Sequence, residues 1–132
     1  MNKLKISILL MLYDAGEKGL TDKQIADRLD INKKGFKKLE TALSEMKQHN
    51  DIAYKKGMCW IKHPEQFFKA EVTRVTPKSG FIRQLGDMPV EYFVRGRDLM
   101  GSIPGDIVLA KQTAEADERF SAEAVVVSVL EA

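Results

Sequence analysis

Four side chains between Lys78 and Arg95 are placed to do chemistry: Phe81, Arg83, Phe93 and Arg95. Gly80–Arg83 and Val90–Val94 read as two short strands, separated by the turn formers Gly86, Asp87 and Pro89. Side chains alternate along a strand, so if Ile82, Tyr92 and Val94 face a core, then Phe81, Arg83, Phe93 and Arg95 face out. Exposed phenylalanines are unfavourable on a solvated sheet, but they offer a platform on which nucleobases stack for roughly 1–3 kcal/mol each, while guanidinium groups hold phosphates. Lys78, just before the first strand, adds a further cation. The plainer alternative makes Phe81 and Phe93 core or interface residues.

A second cluster is cationic. Lys33, Lys34, Lys37 and Lys38 crowd the first half of a helix expected to end near Gln48, and Lys55 and Lys56 flank the tip of an expected hairpin. Lysines in a first helical turn oppose the helix dipole, a small cost that makes sense where phosphates must be met. An ordinary solvated face would look the same. Catalytic patterns are missing. Cys59 is the single cysteine, which suits a reducing cytoplasm, and it reads as a buried small hydrophobe in a strand. His49 and His63 lie far from any cluster with metal-ligand spacing, and Asp22, Asp27 and Asp30 read as helix-end and surface acids. No paired-carboxylate, Ser-His or Cys-His arrangement stands out, so an enzyme in its own right is the least expected reading.

The elements that must position these residues differ between the two halves of the chain. Of 21 Lys and Arg and 19 Asp and Glu, residues 1–63 hold 13 and 8, a net of +5, whereas residues 64–132 hold 8 and 11, a net of −3. Phosphate attraction is therefore concentrated in the first half. Helical periodicity dominates to about Asn50, and strand alternation after about Ala70. Leu4, Ile8, Met11 and Leu12 mark a helix from Asn2 to Asp14, ended by Ala15-Gly16. Thr21 and Gln24 form a capping box for a second helix to Leu29, burying Ile25, Ala26 and Leu29. Asn32 caps a third, which buries Phe36, Leu39, Leu43 and Met46. The hairpin turns at Lys56-Gly57, with Tyr54 and Trp60 packing on the helices. His63-Pro64-Glu65-Gln66 is a connector. Five strands follow: 69–76 with Ala70, Val72 and Arg74 on one face, the pair around Phe81 and Phe93, Ile107–Ala110, and Ala122–Leu130. The longest apolar run, Ile6–Tyr13, is too short to span a bilayer and lacks a cleavage site, so neither membrane insertion nor a signal peptide is expected.

The fold class is thus α+β: a winged helix-turn-helix over residues 1–64, then a five-stranded antiparallel OB-fold barrel over 65–132. Such a barrel binds single strands across its second and third strands, where Phe81 and Phe93 fall. Two rival functions fit the same elements. One is a regulator whose third helix reads duplex DNA; the other is a docking module that binds protein.

Residues 71–130 resemble a cold-shock domain. Lys78-Ser79-Gly80-Phe81-Ile82 is similar to a shortened first RNA-binding motif of that family, and Tyr92-Phe93-Val94-Arg95 to the second. Phe81 and Phe93 match two stacking aromatics; Ser79 stands where a third would be, and Arg95 replaces a histidine. The order of helix-turn-helix, glycine-tipped hairpin and barrel, with Asp-Leu-x-Gly-x-x-x-Gly-Asp over Asp98–Asp106, resembles the amino-terminal region of bacterial ribonuclease R, in the ribonuclease II family. The resemblance implies a cytoplasmic RNA-binding region of a magnesium-dependent 3′-to-5′ exoribonuclease, docked to a C-terminal catalytic domain. Nothing in this sequence corresponds to that domain, so no cofactor is expected within the chain.

Overall fold

A computed structural model describes residues 2–87 and 89–132. It divides into two compact units, Met1–Pro64 and Glu65–Ala132. Among the described residues no helix is long and apolar enough to cross a membrane.

The first unit holds three helices and a small sheet. Helix α1 (Lys3–Ala15) starts where the Asn2 side chain accepts the Lys5 N–H at 2.9 Å, and stops at Gly16, whose φ of 68° no other residue type adopts as readily. It buries Ile8, Leu9 and Leu12. A 3-10 turn (Gly16–Lys18) leads into β1 (Leu20–Thr21). Helix α2 (Asp22–Arg28) opens on the expected capping box: Gln24 N–H donates to Thr21 Oγ1 at 3.0 Å, and Thr21 N–H to Gln24 Oε1 at 2.9 Å. Helix α3 (Lys33–Gln48) is capped by Asn32 and buries Leu39, Ala42, Leu43 and Met46. Phe36 and Leu29, expected in the core, are only half-buried, because each lies near an end of its helix.

The hairpin of β2 (Ile52–Lys55) and β3 (Met58–Ile61) turns through Lys56 and Gly57, with φ of 52° and 79°, the left-handed pair that a two-residue hairpin requires. Strand β1, too short to leave a pattern in the sequence, adds to β3, giving the order β1-β3-β2. Tyr54 anchors the hairpin to α2: its hydroxyl donates to Asp22 Oδ2 at 2.9 Å, while the Asp22 N–H donates to the Gly57 carbonyl at 2.8 Å. Burial of Tyr54 and its hydrogen bond to this carboxylate both push the phenol pKa upward.

The second unit is a closed five-stranded barrel, consistent with an OB-fold, built from β4 (Phe67–Val75), β5 (Ser79–Gln84), β6 (Glu91–Arg95), β7 (Ile107–Ala114) and β8 (Glu123–Glu131) in the order β4-β5-β6-β8-β7. The expectation of an all-antiparallel barrel is corrected. The β6–β8 pair is parallel, with Phe93 opposite Glu123, and the other four pairs are antiparallel. The reason is parity: directions cannot alternate around a closed ring with an odd number of strands, so at least one neighbouring pair must run the same way.

The barrel core is Phe68, Ala70, Val72, Ile82, Tyr92, Val94, Leu99, Val108, Ala110, Ala122, Ala124 and Val126, with the Phe68 and Tyr92 rings stacked at 4.5 Å. Strand β4 begins at Phe67, two residues earlier than its polar–apolar alternation suggests, because Phe67 and Phe68 are both buried. Its far end holds a second correction. The register with β5 shifts between Val72 and Arg74, a bulge at Thr73, and this turns Arg74 out of the face shared by Ala70 and Val72. The segment Gly101–Asp106 packs under β4 through Gly105 N–H to Val72 O at 2.8 Å and Val72 N–H to Asp106 O at 2.9 Å. Buried Asp106 also accepts the Ile103 N–H at 3.0 Å.

Candidate nucleic-acid interface

Alternation along β5 and β6 divides their side chains as the pattern requires. Ile82, Tyr92 and Val94 are buried; Phe81 and Phe93 are half-buried on the opposite face, and Arg83 and Arg95 are exposed. Phe81 and Phe93 are register partners, their rings 5.7 Å apart and nearly perpendicular at 71°. Edge-to-face packing of this kind holds both rings without covering them. The registers continue outward. Arg74 lies opposite Phe81 on β4, and Glu123 opposite Phe93 on β8, so one row across four strands reads Arg74, Phe81, Phe93, Glu123. The next row pairs Ser79 with Arg95, and the row on the other side pairs Arg83 with Glu91.

The arginines of the face have partners. The Arg74 guanidinium sits 4.2 Å from the centre of the Phe81 ring, a cation–π interaction that occupies one face of that ring. Arg83 lies 3.8 Å from Glu71 and Arg95 3.8 Å from Glu123, both at the loose end of ion pairing and largely solvated. A phosphate reaching Arg83 or Arg95 would therefore have to exchange with a carboxylate, whereas Arg74 is held by a ring. Lys78 is exposed in the turn before β5, where Thr76 Oγ1 accepts the Ser79 N–H at 3.1 Å and the Lys78 carbonyl accepts the Gly96 N–H at 2.9 Å.

Three contributors were not legible in the sequence. A groove over the aromatic pair is lined by Phe81, Phe93, Arg95, Arg119, Phe120 and Glu123. Arg119 and Phe120 come from the loop between β7 and β8, which reads in sequence as a charged connector. Arg74 reaches the face only because of the bulge at Thr73.

In the first unit, Lys33, Lys34, Lys37 and Lys38 are exposed on the N-terminal half of α3, and none makes a side-chain hydrogen bond or ion pair among the described residues. Their spacing sets Lys33 beside Lys37 and Lys34 beside Lys38 along the helix. Lys55 and Lys56 are exposed at the hairpin tip. The barrel residues and the six lysines thus belong to different units. Cys59 is fully buried in β3; burial, and then the nearby Asp22 carboxylate, push its thiol up to about 12, so it is no nucleophile at neutral pH. Among the described residues no group of three or more His, Cys, Asp or Glu is placed to hold a metal ion.

No protein-family model and no curated protein sequence matches the chain. Among solved structures, the apo form of Mycoplasma genitalium RNase R is similar to 48% of this chain at 28% identity, with a TM-score of 0.43. This chain covers 10% of that one.

Proposed function

We propose that this chain is the RNA-binding front region of a 3′-to-5′ exoribonuclease resembling ribonuclease R, acting in the cytoplasm. The observation that carries the reading is the Phe81–Phe93 pair: two adjacent, half-exposed rings on the outer face of a closed five-stranded barrel, flanked by Arg83, Arg95 and Lys78. Rings so placed stack on bases without regard to identity, and the cations track the backbone. In this reading the barrel is cold-shock-like and guides an unpaired strand. The first unit is a winged helix-turn-helix, with α2 and α3 joined by a short turn and β2–β3 as the wing; its Lys33, Lys34, Lys37, Lys38, Lys55 and Lys56 meet the phosphates of structured RNA. Hydrolysis, and the magnesium it uses, belong to a catalytic domain on which this region docks.

The test is fluorescence anisotropy with labelled single-stranded RNA, hairpin RNA and duplex DNA at low and moderate salt, with the Phe81→Ala/Phe93→Ala variant alongside. Single-strand binding that falls at least tenfold in the variant is expected, since each stacked base is worth roughly 1–3 kcal/mol. Tight duplex DNA binding indifferent to the variant would instead favour a DNA-binding regulator. Absence of binding to every oligonucleotide at low salt would favour protein docking.

A further inference from the structure

Phe120 is the most exposed large apolar side chain among the described residues of the barrel unit, 68% accessible, yet its backbone is pinned. The loop before it folds on Asp117: Oδ1 accepts the N–H groups of both Arg119 and Phe120 at 2.8 Å, and the Asp117 N–H donates to the Phe120 carbonyl at 3.0 Å. The following residues, Ser121 to Glu123, lead directly into the strand beside β6, and the Ala122 carbonyl accepts the Phe93 N–H at 2.8 Å. The loop is therefore tied at both ends, by its own turn and by the sheet. It holds Phe120 and Arg119 at the groove that Phe81 and Phe93 line. On the sheet itself the row beyond that aromatic pair offers only Ser79 and Arg95.

We propose that Phe120 is a third stacking element and Arg119 its phosphate partner, so that the site takes an unpaired strand of at least three consecutive nucleotides. This rests on the single-strand reading of the same face. A ring on a loop above a sheet and two rings on the sheet enclose bases from two sides. Rings on both sides of a groove stack on unpaired bases, whose faces are free, whereas the bases of a duplex already stack on each other. Because the turn at Asp117 already fixes the loop, little ordering entropy is spent when the strand enters. The chemistry recognised is the flat face of any base with a phosphate beside it, so the ligand class is single-stranded RNA of any sequence.

The experiment uses the full 132-residue chain with fluorescein-labelled oligouridylates from two to twelve nucleotides. For the wild type, affinity should rise steeply to at least three nucleotides. Phe120→Ala should weaken binding of the longest oligomer roughly tenfold, with an unchanged melting temperature, since the side chain is mostly solvated. Phe120→Trp should keep the affinity, and its emission, added to that of Trp60, should be quenched on binding as a base stacks. Arg119→Ala should lower the slope of log affinity against log salt by roughly 0.7. If the wild type binds and Phe81→Ala/Phe93→Ala weakens it while Phe120→Ala does not, the loop is no part of the site; the inference falls and the single-strand reading stands. If the wild type binds no oligomer at low salt, both fall together.

Discussion

If the groove takes an unpaired strand as proposed, Glu123, which lines it, competes with the ligand, and replacing it with glutamine should tighten single-strand binding. Its Oε1 lies 3.8 Å from Arg95 Nε, with both side chains open to solvent. Two unit charges at that separation in water attract by about 1 kcal/mol, which screening at about 0.15 M salt lowers to roughly 0.7 kcal/mol. A phosphate that engages Arg95 displaces that attraction and also sits near the carboxylate; at about 6 Å the screened repulsion adds roughly 0.3 kcal/mol. Glu123→Gln removes both effects, about 1 kcal/mol together, which is a gain of about fivefold in affinity. The shape of the side chain is kept, so the barrel should lose no more stability than the solvated ion pair supplied, below about 1 kcal/mol. Anisotropy titrations of a labelled twelve-nucleotide RNA across a salt series make the check. The gain should shrink to less than about twofold near 1 M salt, where the screening length is roughly 3 Å. Weaker binding by the variant would refute the reasoning. It would mean that the carboxylate accepts hydrogen bonds from a base, as carboxylates do from exocyclic amino groups, rather than contending with the backbone for Arg95.

Two other outcomes follow from residues already placed. Lys33→Ala/Lys37→Ala should leave binding of a short unstructured RNA unchanged, and should lower the salt slope for hairpin RNA by roughly 0.9 for each phosphate that is no longer neutralised; an equal effect on both ligands would assign these lysines to the same path as the barrel. Cys59 makes stability depend on alkaline pH. Its thiol ionises near 9.0 in an ordinary setting and is pushed up to about 12 in the fold, so its contribution is complete below pH 9 and drains as pH rises towards 12, at about 1.4 kcal/mol per pH unit. Urea midpoints measured between pH 8 and 10 should show the decline (roughly one proton's worth), and Cys59→Ala should flatten it; Tyr54, also shifted upward, acts only at higher pH because its ordinary value is 10.0.

Local chemistry made most of the elements readable. Thr21 with Gln24, Asn32, and the Lys56-Gly57 turn each state a boundary in a few residues, and all fall where the structure has them. Strict alternation in Ile82, Tyr92 and Val94 was enough to sort the platform face from the core. What stayed hidden depends on residues distant in sequence. Arg74 joins the face through a one-residue slip in pairing, and nothing in Val72-Thr73-Arg74 announces a bulge, although Thr73 Oγ1 secures it by donating to the Phe81 carbonyl at 3.1 Å. Phe120 sits among charged residues with no periodicity to mark it, and only the return of β8 beside β6 brings it to the groove. The parallel pair is different in kind: five strands and a closed ring together imply it, but no single residue does.

That pair has a consequence for how the ring opens. Without it, β6-β5-β4-β7-β8 is an open sheet in which every neighbour is antiparallel. What shuts it is a single register position, Phe93 opposite Glu123, reinforced by the Phe93–Ala122 hydrogen bond. It has the fewest register positions of the five neighbouring pairs, so it is the joint of the ring held by the least pairing. The groove straddles this seam: Phe81 and Phe93 stand on one bank, Phe120 and Glu123 on the other. On the proposed reading, a strand lying across both banks would act as a clasp. It would bind the shut ring and not the open sheet, and by mass action it would stabilise the shut form in proportion to the logarithm of its concentration. Amide exchange at Phe93 should therefore report occupancy of the groove more sensitively than exchange at Val72 or Val108 in the middle of the sheet.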